Sequence, residues 1–76
     1  MQITTTINLK GHEYNIQADM NLPIQNAAQT LNESFDLGIY KFPVFYKSVL
    51  QQNLVSSYFT FAQAEIQTGD ILLAVL

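Results

Sequence analysis

The sequence predicts an α+β domain in which a single helix lies across one face of a mixed sheet. Three observations carry that expectation. Apolar and polar residues alternate through the opening segment, the apolar spacing lengthens to about 3.6 residues after Pro23, and a closing run over 71–76 is apolar on both faces.

The opening strand is read from Ile3, Thr5, Ile7 and Leu9, which alternate with Gln2, Thr4, Thr6 and Asn8 and are rich in β-branched residues. The polar segment Lys10-Gly11-His12-Glu13 holds a glycine able to take positive φ. Tyr14, Ile16, Ala18 and Met20 then alternate with Asn15, Gln17 and Asp19, so the two strands should form an antiparallel hairpin. From Pro23, a favourable first-turn residue, Ile24, Ala27, Ala28, Leu31 and Phe35 fall on one helical stripe, giving a helix over about 23–36. Its outer face, with Gln25, Asn26, Gln29, Asn32 and Glu33, has mixed helix propensity, so packing on a sheet must stabilise it. Gly38 marks the break after it.

Residues 44–50 read as a third strand, 51–53 as a turn and Leu54-Val55 as a very short fourth strand. The aromatics of the 56–60 loop are expected to cap the core edge, and 61–65 to make one helical turn. Thr68-Gly69-Asp70 is a turn, Gly69 supplying positive φ and Asp70 bonding nearby backbone, and it launches the final strand over 71–76. The order β-β-α-β-β-β, with one helix on one face of four or five strands, is the β-grasp, ubiquitin-like arrangement. There the final strand runs parallel to the first in the middle of the sheet, which suits its double apolar face.

Composition narrows the function. The 76 residues suffice for one domain, 1–76, with 49% apolar and 12% charged residues and a formal charge of −3. Proteins average about 25% charged residues, and so low a charge with a normal apolar fraction argues against disorder. Lys10, Lys41 and Lys47 are the only Lys or Arg, too few to neutralise nucleic-acid phosphates or an anionic membrane. The absence of Cys removes thiol chemistry and disulfides. No signal-peptide pattern opens the chain, and the run 71–76 is far short of the ~20 residues that span a bilayer, so a cytoplasmic protein without direct membrane insertion is expected.

The topology, the length and the segment Phe61-x4-Ile66-x2-Gly69-Asp70-x-Leu72, with a helix opening at Leu22-Pro23-Ile24, resemble the YukD/EsaB family, small ubiquitin-like proteins of Gram-positive type VII secretion systems. The match covers nearly the whole chain and consists of packing and turn positions. The resemblance implies a cytosolic accessory or regulatory component acting by noncovalent protein contact, its partner a membrane component of the secretion machinery. It carries over no functional residue. The chain departs from ubiquitin-like modules in being poor in Lys and Arg and rich in Gln and Asn.

No catalytic, cofactor or metal residue is assigned, and the protein is not expected to be an enzyme. His12 is the single His and sits at a turn beside Glu13 with no second ligand in the pattern; Ser34, Ser48, Ser56 and Ser57 lack an Asp-His set; Gly11, Gly38 and Gly69 are isolated turn breakers. A modifier or sulfur carrier needs a slim Gly-Gly end for adenylation, whereas this chain ends Ala74-Val75-Leu76, which disfavours that alternative.

The candidate site is the second face of the final strand. If Leu72, Ala74 and Leu76 point at the helix, Ile71, Leu73 and Val75 point away, and Phe45 and Val49 join them if Lys47 faces solvent. Those five side chains would form one apolar patch of the kind that marks a contact surface. The opposite register of the third strand would turn Phe45 and Val49 inward and scatter the rest. A self-associating domain or homodimer using the same face is the further alternative.

Overall fold

The computed structural model describes residues 1–75. Its elements are β1 (Gln2–Leu9), β2 (His12–Asp19), α1 (Ile24–Phe35), β3 (Phe45–Ser48), β4 (Asn53–Ser56) and β5 (Ile71–Val75). The strands form one sheet in the order β2-β1-β5-β3-β4, with β5 parallel to β1 and antiparallel to β3. This is a β-grasp-like α+β fold. Leu76, the last residue of the expected closing strand, lies outside the described residues.

The first hairpin is tighter than expected. Leu9 pairs with His12, leaving Lys10 and Gly11 as a two-residue loop, both at positive φ (52° and 78°). Such a turn matches the right-handed twist of its strands, and Gly11 takes that conformation without the steric cost a Cβ would bring. Strand β2 therefore begins at His12 instead of after Glu13.

The helix buries Ile24, Ala27, Ala28 and Leu31 against the inner sheet face, whose contributions include Ile3, Ile7, Leu9, Tyr46, Val55 and Leu72. Phe35, expected on the same stripe, is 60% exposed at the helix end, its ring 5.2 Å from that of Tyr14. There it meets the edge strand β2 through Tyr14. The chain leaves α1 at Asp36, in a left-handed conformation with its N–H donating to Asn32 O, two residues before the expected break at Gly38. The Asn32 amide then grips the exit twice, Oδ1 accepting from Ile39 N–H at 2.9 Å and Nδ2 donating to Ile39 O at 3.3 Å.

No side chain caps the start of α1. Ile24 N–H donates to Phe59 O (2.9 Å) and Gln25 N–H to Ser57 O (2.8 Å), so two orphan donors of the first turn are satisfied by backbone carbonyls from the loop after β4, while Asn26 N–H donates to Pro23 O (3.0 Å). Phe61 N–H to Leu22 O and Ala62 N–H to Met20 O continue the same zip. This replaces the expected capping by aromatics: Tyr58 and Phe59 are exposed, and it is Phe61 that is buried in the core. Ala64 N–H to Thr60 O and Glu65 N–H to Ala62 O, both at 3.0 Å, make the short turn expected over 61–65.

Candidate protein-docking face

The register of β3 follows from its burial pattern: Tyr46 and Ser48 face inward, Phe45 and Lys47 outward. Antiparallel pairing with β5 then stacks three rungs on the outer face. Phe45 lies beside Val75, Lys47 beside Leu73, and Val49 N–H donates to Ile71 O at 3.0 Å where the ladder ends. The structure thus brings Phe45, Val49, Ile71, Leu73 and Val75 onto one face. Phe45 is 46% and Val75 42% exposed, Val49 is exposed, and Ile71 and Leu73 are half-buried. Val49 belongs to the turn that follows β3 and not to the strand, because β3 is four residues long instead of the expected seven over 44–50.

Two features of this face were not singled out from the sequence. Leu54 pairs with Lys47 from the β4 side and is exposed, extending the apolar sector across three strands. Once Val55 is assigned to the core, alternation alone places Leu54 outside. At the other end a cleft of about 430 Å³ lies among Phe42, Pro43, Val44, Phe45 and Val75, with Lys41 at its side. The sector stops at β1, where Thr6 neighbours Ile71 and Asn8 neighbours Leu73, and beyond it β2 presents Glu13, Asn15, Gln17 and Asp19. The outer face is therefore divided lengthwise into a polar, acidic half and an apolar half whose one outward cation on the strands is Lys47. Its aliphatic stem can lie along Leu73 while the ammonium stays in water.

Other chemistry-bearing side chains serve the fold. Asp70, read from the sequence as a turn residue, is buried and its carboxylate accepts from Ser48 Oγ (2.5 Å), Leu50 N–H (3.1 Å) and Ile71 N–H (2.7 Å). Its carbonyl accepts from Thr6 N–H and from Thr5 Oγ1 (2.7 Å). One residue thereby ties β1, β5 and the β3–β4 turn together, with three donors on the buried charge. Tyr46 is fully buried with no hydrogen-bond partner for its hydroxyl among the described residues, and burial pushes its pKa from 10.0 up to about 12. His12 is exposed beside the hairpin turn. Among the described residues no group of His, Asp and Glu is placed to hold a metal ion, and no helix is long and apolar enough to cross a membrane.

Comparison with protein-family models and with curated proteins finds no match for this chain.

Proposed function

We propose that this domain is a noncovalent docking module of a bacterial type VII secretion system, an accessory or regulatory component that binds a membrane component of the machinery through the outer face of β3 and β5. The observation that carries the docking reading is the contiguity of Phe45, Val75, Leu73, Ile71 and Val49 over three cross-strand rungs, extended by Leu54. Taking such a side chain from full exposure to full burial contributes about 1.5–3 kcal/mol. Phe45 (46% exposed), Val75 (42%) and Val49 (40%) keep just under half of that to gain on docking and Ile71 and Leu73 less, a total of the same order as the lower range of the cost of association. The resemblance to the YukD/EsaB family supplies the setting.

Affinity capture from the bacterium that makes the protein, with wild type beside Leu73→Asp and Val75→Asp, tests both parts. Recovery of secretion-system membrane proteins by wild type, lost in both folded variants, is the expected result. Recovery that survives both substitutions rejects the face. Capture of proteins unrelated to secretion, dependent on the face, rejects the setting and leaves the docking mode standing.

A further inference from the structure

The opposite edge of the sheet carries a second, independent feature. Thr6 N–H donates to Asp70 O and Thr4 O accepts from Gly69 N–H, so the even-numbered residues of β1 turn their backbone toward β5. The odd-numbered ones must bond β2, and Met20 N–H donating to Met1 O at 2.9 Å extends that ladder. Within β2 it is therefore His12, Tyr14, Ile16 and Ala18 whose backbone faces β1. Glu13, Asn15 and Gln17 aim N–H and C=O away from the sheet, as Asp19 does its N–H, and no described residue bonds them.

This free edge runs the length of an eight-residue strand with no proline and no bulge in its pairing. Natural edges of that kind are normally blunted, because a row of unpaired backbone groups is a template for another strand. Beside it, between β2 and α1, lies a groove of about 160 Å³ lined by Ile16, Ala18, Leu22, Ala27, Thr30 and Leu31. Tyr14 and the exposed Phe35 continue the apolar surface toward the hairpin end.

We infer that the free edge of β2 and its groove form a second docking site, which takes an extended peptide as an added strand. Main-chain hydrogen bonds to Glu13, Asn15 and Gln17 would hold it, and alternate side chains would meet different surroundings. One set lies over Tyr14, Ile16 and Ala18 and must be apolar. The other set stands beside Glu13, Asn15, Gln17 and Asp19, so a strand of about seven residues carries Lys or Arg at both ends. The charge pattern selects this occupant over a second copy of the chain. Antiparallel self-pairing centred on Ile16, the register that takes in both edge acids, would set Glu13 of one copy against Asp19 of the other. The register centred on Asn15 leaves Asp19 beyond the pairing, so neither gives both carboxylates a cationic neighbour as a strand with basic ends does. Lys10, the cation nearest this edge in sequence, is turned onto Leu37 O at 3.2 Å.

The test uses the full chain and a capped synthetic peptide with lysine at each end, valine at every groove-facing position and threonine between. The control has the same composition with its lysines at groove-facing positions. Backbone amide NMR should show shifts confined to β2 and α1 with the first peptide alone, together with slowed hydrogen exchange at Glu13, Asn15 and Gln17. Gln17→Pro removes an N–H that the β1–β2 ladder does not use and should abolish binding while the β1 and β5 resonances stay in place. Glu13→Lys should weaken binding about tenfold and reads the same site should the proline variant fail to fold. Equal binding of the out-of-phase peptide, shifts on β3 and β5 instead, or edge amides already protected by self-pairing in the free protein would each overturn the inference.

Discussion

Replacing Tyr46 by Phe should make this protein more stable. The ring is fully buried on the inner face of β3, its strand neighbours being Val55 and Ala74, and its hydroxyl has no partner among the described residues. A desolvated, unpaired hydroxyl costs about 1–3 kcal/mol, while removing one oxygen forfeits contacts worth a few tenths of a kcal/mol and leaves a gap too small to collapse. The net gain for Tyr46→Phe is about 1 kcal/mol at neutral pH, which in a domain of this size raises the melting temperature by about 4–8 °C. A second arm comes from ionisation. Burial raises the phenol's pKa from 10.0 to about 12, so the folded protein holds that proton more tightly than the unfolded chain. Its contribution is intact below pH 10 and is lost as pH rises through 12, by about 2–3 kcal/mol in all. Urea denaturation of both proteins at pH 8 and across pH 9.5–12 should show the gap in favour of Phe widening with pH. A variant less stable by 1 kcal/mol or more, with an alkaline limb parallel to that of wild type, would refute the reasoning by showing that the hydroxyl is satisfied.

Further substitutions probe the rest of the framework. Asp70→Ala strands Ser48 Oγ and the Leu50 and Ile71 N–H groups at one buried point and should cost about 3 kcal/mol by urea titration, whereas replacing an exposed acid such as Glu33 should stay within about 0.5 kcal/mol. Asn32→Ala releases both bonds to Ile39; about 1–2 kcal/mol of stability should be lost, and hydrogen exchange should quicken at Leu37 and Ile39 before it does at the sheet.

Strand and helix periods were readable because each element keeps one face in the core: β1 buries Ile3, Thr5, Ile7 and Leu9, and α1 its Ile24-to-Leu31 stripe. The outer face of β5 was readable for the same reason. The register of β3 was not, since Phe45 and Tyr46 are both large and aromatic and either could fill the core; packing beneath α1 selects Tyr46. Distant backbone contacts left no trace either. Any residue can offer a carbonyl, so nothing in the letters of 57–60 marks that loop as the cap of α1. Asp70 looked like an ordinary turn acid because its burying partners, Ser48 and Leu50, lie some twenty residues away and only the folded sheet brings them near.

β5, the last of the five strands in chain order, is the middle plank of the sheet. Before residues 71–75 emerge, the β1–β2 hairpin and the β3–β4 ribbon have no common neighbour, and α1 has half a floor to rest on. Neither fragment can settle by itself, since a lone hairpin is marginal in water. Long-range pairing must then form in one concerted step after synthesis has passed Val75, and a nascent chain stalled short of that point would stay open to proteases and chaperones.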